Sequence, residues 1–150
     1  IRPSAVYGPT DVNQRVSQIF LENALAGKPL ILHNGGETRL DFTFVKDCAH
    51  GFVLASLSKN ARNEIFNITR GEGRTLKEYA GILKIYFPNL KIITSLSSDI
   101  YRPRRGALDI SKAKQLLGYQ PKYSLEDGIK EYLMFAGKEE KLSAKRLAAF

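Results

Sequence analysis

The chain has 150 residues, 43% of them hydrophobic, enough for one compact domain with a real core. Its formal net charge of +8 admits nucleic acid, acidic lipid or a phosphorylated small molecule as partner. The single cysteine, Cys48, excludes an internal disulfide. No apolar run approaches the roughly 20 residues of a membrane-spanning helix, and no signal-peptide pattern is recognised, so a cytoplasmic, non-membrane protein is expected.

In chain order, residues 1–6 read as a strand, broken in regularity by Pro3 and ended by Gly8-Pro9. A chain that opens at Ile1 in a buried strand reads as a piece of a longer polypeptide. Asp11, with Gln14 three residues on, is the expected cap of a helix whose stripe is Val12, Val16, Ile19, Phe20 and Ala24. Gly27 and Pro29 stop it, and Leu30-Ile31-Leu32 is a short strand. After the turn Asn34-Gly35-Gly36, Leu40, Phe42 and Phe44 alternate with Asp41, Thr43 and Val45, which predicts one strand with one buried face. A helix follows almost without a loop, with Val45, Ala49, Phe52, Val53 and Ser56 predicted inward and Cys48 as a buried structural thiol.

Residues 64–69 read as a strand covered on both sides, and Arg70-Gly71-Glu72-Gly73 as a turn. Thr75 and Glu78 form a capping box for a helix with Leu76, Tyr79, Ala80, Leu83 and Phe87 inward. Lys91 to Thr94 is a further short strand. The long segment from Ser95 to Leu108 carries Arg102, Arg104 and Arg105. A short helix ended by Gly118 and a last helix begun by Ser124 and Asp127 complete residues 1–137, and 138–150 form a charged tail. Strands alternating with helices over short connections indicate an α/β fold.

The chemistry is sparse. No cysteine–histidine cluster suits structural zinc, and His33 and His50 stand in no metal-ligand motif. A nucleophile elbow, a P-loop and a glycine-rich dinucleotide loop are all missing from the sequence. Asp41 and Asp47 are explained by a strand end and a helix cap, so no catalytic residue is assigned. The arginines are the best lead, because a guanidinium binds phosphate bidentately and stays charged. A nucleic-acid surface would add a broader basic stripe with exposed aromatics.

Taken together, four segments resemble one family. They are Arg2-Pro3-Ser4-Ala5-Val6-Tyr7-Gly8-Pro9; Ala26-Gly27-Lys28-Pro29-Leu30 through Leu40-Asp41-Phe42-Thr43-Phe44-Val45; Glu64-Ile65-Phe66-Asn67-Ile68; and Arg102-Pro103 with Leu108-Asp109-Ile110-Ser111-Lys112-Ala113 through Leu117-Gly118-Tyr119. Their order and spacing resemble the C-terminal half of the extended short-chain dehydrogenase/reductases, the nucleotide-sugar epimerase/dehydratase group. The resemblance implies that residues 1–6 and 64–69 are late Rossmann strands and that the rest is the small lobe over a nucleotide sugar. It also implies an upstream half that holds NAD or NADP and the catalytic Tyr-x-x-x-Lys, with any homodimer formed through that half.

By the same resemblance, Pro3 and Ser4 meet the nicotinamide end of the cofactor. Ala5 takes the place of an asparagine that touches the substrate diphosphate, a hydrogen bond alanine cannot make. Ile31 and His33 border the nucleotide base. Leu40 stands where a phosphate-binding arginine precedes the aspartate. Arg39, one residue earlier, points to the other face of a strand. Arg102 matches the second phosphate arginine, and Arg105 replaces an acidic residue that reads ribose. Two readings stand: half of an enzyme, inactive alone, or a non-catalytic nucleotide- or phosphate-binding module. Nucleic-acid binding ranks behind both.

Overall fold

The computed structural model describes residues 1–95 and 105–147. The elements are β1 (Val6–Tyr7), α1 (Val16–Leu25), β2 (Leu30–His33), β3 (Arg39–Asp41), β4 (Thr43–Phe44), α2 (Val45–Leu57), β5 (Gly73–Thr75), α3 (Leu76–Tyr86), β6 (Ile92–Ser95), α4 (Ser111–Leu117) and α5 (Leu125–Leu147). The architecture is α/β, as the alternation of patterns indicates. β1 pairs with β4 and β2 with β6 in parallel, while β3 pairs with β5 antiparallel.

Several elements follow from local chemistry. Thr75 accepts from the Glu78 N–H, and Glu78 accepts from the Thr75 N–H, so the expected capping box closes the start of α3. Gly118 ends α4 in the left-handed region at φ 66°, where a Cβ is penalised. Ser124 caps α5 by accepting from the Asp127 N–H at 3.0 Å.

Elsewhere tertiary packing overrides the pattern. The predicted single strand through residues 39–45 is two short strands in two different sheets, with Phe42 between them. Both of its faces are buried: Asp41 and Thr43 are 0% exposed, as tightly enclosed as Phe42 and Phe44. Polar side chains can face inward because loops bring donors to them. The Asp41 carboxylate accepts from the Gly71 N–H at 3.1 Å and from the Leu108 N–H at 2.9 Å. The Thr43 hydroxyl accepts from the Arg70 N–H, and Asp47 accepts from the Lys122 and Tyr123 N–H groups. The buried side chains thus tie the hub to three distant loops.

Helix α2 is rotated relative to expectation. Asp47, Cys48 and Gly51 face inward, while Phe52 and Val53 are about half exposed. Close approach explains it: a Cβ on Gly51 would stand 2.2 Å from Cγ2 of Ile68. The glycine, not the apolar stripe, marks the contact face. α1 begins at Val16 with Arg15 at the cap position, so Asp11 does not cap it, and Val12 lies outside the helix, 80% exposed. Residues 64–69 meet residues 1–6 in parallel at one bridge, Arg2 to Asn67. There the Arg2 N–H donates to the Phe66 carbonyl at 2.8 Å and the Ile68 N–H to the Arg2 carbonyl at 3.2 Å. Of that stretch Phe66, Ile68 and Thr69 are buried, while Ile65 is exposed and Asn67 half-buried, so the second side is covered only at its C-terminal end. Gly73, read as the end of a turn, begins a short strand that runs to Thr75, the cap residue of α3.

The buried side chains form two clusters. The larger one centres on Tyr79, whose ring lies 6.2 Å from Tyr7, 6.1 Å from Phe20 and 5.1 Å from Phe42. It draws on α1, β2, α3 and α5. The smaller gathers Phe66, Ile68, Ile110, Ala113, Leu117 and Tyr119 under α2 and α4.

Candidate functional site

The segment after β1 turns sharply and opens a cavity of about 320 Å³. Pro3, Ala5, Val6, Pro9 and Val45 give it apolar walls, and Asp11, Asn13 and Arg15 its polar side. The backbone here is strained. Ala5 has φ 38°, Thr10 φ 66° and Gln14 φ 50°, each in the left-handed region that side chains avoid. Such residues cost of order ~1–3 kcal/mol each and cluster where a binding site dictates the chain path. Asparagine tolerates this region better than alanine.

The polar groups are held in particular ways. Asp11 Oδ1 accepts from the backbone and side-chain N–H groups of Asn13, at 3.1 and 3.3 Å, while Oδ2 is enclosed and has no hydrogen-bond partner among the described residues. Arg15 donates from Nη1 to the Val6 carbonyl at 3.4 Å and is otherwise exposed. The Tyr7 hydroxyl donates to the Leu125 carbonyl, and burial pushes its pKa well up. It is a fixed neutral strut, unsuited to proton transfer.

The site residues expected from sequence fall into groups. Pro3 and Ala5 share the cavity, with half-buried Ser4 between them in the chain. Ile31 and His33 lie on one outward face of β2, where Ile31 pairs in register with Ile93 and both are about half exposed. Arg39 and Leu40 diverge, as the strand period requires: Arg39 is exposed and donates to the Gly73 carbonyl at 2.9 Å, while Leu40 packs against the larger core. Arg102 and Arg104 lie outside the described residues. Arg105 is exposed, and three residues later the Leu108 N–H is pinned to Asp41. Sequence reading passed over Asp11, Asn13 and Arg15 as a site. The polar run after Gly8-Pro9 was the available signal, but the positive φ angles that fold it back are invisible in sequence.

Residues 1–69 match the NAD dependent epimerase/dehydratase family. The chain's relatives are the NAD-dependent epimerases and dehydratases. It is 30% identical over 125 residues to UDP-glucuronic acid decarboxylase 1 of Danio rerio, covering 83% of this chain and 29% of that protein. Among solved structures, a UDP-glucose 4-epimerase from Thermotoga maritima, determined with UDP-glucose, superposes with a TM-score of 0.82 at 32% identity, covering 92% of this chain and 45% of that one. A UDP-glucuronic acid 4-epimerase from Bacillus cereus, in complex with UDP-glucuronic acid and NAD, gives 0.80 at 29% identity, covering 91% and 44%. The chain therefore spans under half the length of these relatives. Among the described residues no helix is long and apolar enough to cross a membrane, and no group of acidic, histidine or cysteine side chains is placed to hold a metal ion.

Proposed function

We propose that this chain is the substrate-binding part of an NAD- or NADP-dependent enzyme that remodels a nucleotide sugar, and that it needs a cofactor-binding half to turn over. The observation that carries this reading is the cavity beside β1, where strained backbone and apolar walls converge at the position the family resemblance gives to the sugar and diphosphate. Pro3 gives the cavity an apolar side for the nicotinamide end of the cofactor, and Ala5 lines it where the diphosphate would lie. NAD, when bound, supplies the hydride acceptor.

This chain's own residues bind and orient. Ile31 and His33 present an apolar and a stacking surface for the base, and the Asn34-Gly35-Gly36 turn lets a ligand approach the backbone. Arg102 grips phosphate, with Arg39 and Arg105 contributing at the edges. Leu40 acts from the core behind β3 rather than by contact. Ser4 and Pro3 hold the backbone against the cofactor. A cofactor-binding half would also cover the exposed Ile1, Ile65, Phe52 and Val53.

Calorimetric titration tests this reading. Saturable binding that discriminates among UDP-, dTDP- and GDP-sugars is expected, weakened about 10-fold or more by Arg102→Ala. Binding to RNA with a steep salt dependence, and none to sugar nucleotides, would contradict it.

A further inference from the structure

We infer that Asn34 is a modification site: its side-chain amide cyclises onto the backbone nitrogen of Gly35 and hydrolyses, leaving an aspartyl or isoaspartyl residue that loosens the turn between β2 and β3. Asn34 is the only asparagine in the sequence followed by glycine. It is exposed, and its side chain makes no hydrogen bond among the described residues. Other asparagines are less free. Asn67 donates its side-chain N–H to the Asp109 carbonyl at 2.8 Å, and Asn60 donates to the Leu116 carbonyl at 3.3 Å. Ile68 and Ala61, which follow them, crowd the attacking nitrogen with a side chain, the branched Ile68 most.

The turn leaves the reacting atoms room. Asn34 has φ 52° and Gly35 φ 61°, and a Cβ on Gly35 would meet only Cγ of Glu37, at 4.0 Å. One backbone bond must open for the attack, because the Asn34 carbonyl accepts from the Glu37 N–H at 3.1 Å. A single exposed hydrogen bond slows the reaction by no more than about 10-fold. In the first step the Gly35 nitrogen gives its proton to solvent and bonds to Cγ of Asn34, and Nδ2 leaves as ammonia. In the second, water adds to one carbonyl carbon of the cyclic imide and breaks that carbon's bond to nitrogen. The net change replaces NH2 by OH, with no oxidation or reduction. Opening at the backbone carbonyl carbon routes the main chain through the side chain and lengthens it by one methylene.

Gly36 cannot absorb that length. It is buried at φ 79°, and a Cβ there would stand 3.0 Å from Leu32 Cδ1 and from Lys77 Cβ, so its backbone already lies against β2 and α3. The isoaspartyl link therefore lifts Gly36 off α3 or draws the end of β2 out of its pairing with β6. Nothing in this chemistry depends on which ligand the chain binds.

The test incubates the whole chain in neutral buffer, folded and in denaturant, and follows the Asn34 peptide by mass spectrometry with separation of its aspartyl and isoaspartyl forms. The folded chain is expected to convert at Asn34 within about 10-fold of the denatured rate, and faster than at Asn60 or Asn67. Asn34→Gln and Gly35→Ala should each slow conversion strongly, with the unfolding midpoints of the fresh variants showing that they fold. The purified isoaspartyl chain should unfold at a lower midpoint than fresh wild type. Asn34→Asp, which adds the charge without the methylene, should lie closer to wild type. An Asn34 that stays intact in the folded chain while the denatured chain converts overturns the site. An isoaspartyl chain with the wild-type midpoint overturns the loosening of the turn.

Discussion

The two buried clusters differ in how completely the chain encloses them. Around Tyr79 the packing is closed: helices α1, α3 and α5 and strand β2 all contribute, and Tyr79 is 0% exposed. Around Ile68 it is one-sided. α2 and α4 cover Phe66 and Ile68, while Ile65 beside them and Ile1 of the neighbouring segment stay open to solvent. The first region is an enclosed core, while the second leaves apolar side chains exposed at its edge. The candidate cavity opens beside β1, whose Tyr7 belongs to the closed cluster, while Arg2 just upstream pairs with the one-sided layer.

The largest expected effect comes from the joint between them. Asp41 is fully buried and its carboxylate accepts from the Gly71 and Leu108 N–H groups. Asp41→Ala strands both donors and is expected to cost about 3–6 kcal/mol, summing charge-assisted bonds that each contribute roughly 1.5–3. Denaturant unfolding measures it; a loss under about 1 kcal/mol would show that the joint is not fixed by this side chain. Next comes the one-sided layer. Gly51→Val would drive side-chain carbon into Ile68 and Tyr119 and should destabilise by about 1–3 kcal/mol. An unfolding midpoint equal to wild type would mean that α2 can shift away.

The smallest effect sharpens the comparison most. Val53→Lys with Leu57→Lys, on the outward side of α2, should alter the stability of the chain by no more than about 0.5 kcal/mol, since both positions are exposed. A loss comparable to Gly51→Val would show that this side is packed in solution.

The sequence foretells much of the closed region. Tyr79, Ala80 and Leu83 fall on the predicted stripe, and the Thr75–Glu78 capping box stands as read, because local propensity and tertiary burial agree there. The hub was misread for a physical reason. Asp41 and Thr43 look like an outward face only because hydrophobicity is the usual proxy for burial; loop N–H donors that satisfy them come from residues 70, 71 and 108, which no local pattern reveals. In α2 a glycine set the contact face and left Phe52 and Val53 outside. Ile31 and His33 share one outward strand face, as their alternation indicates, but they do not line the cavity beside β1, which Asp11, Asn13 and Arg15 reach through left-handed turns at Thr10 and Gln14.

The most direct measurement is an NMR map of the chain titrated with UDP-glucose. The account predicts saturable shifts at Ala5, Ile31, His33 and Arg39, with the amides around Tyr79 unmoved. Shifts confined to the outward side of α2, or none at saturating ligand, would contradict it.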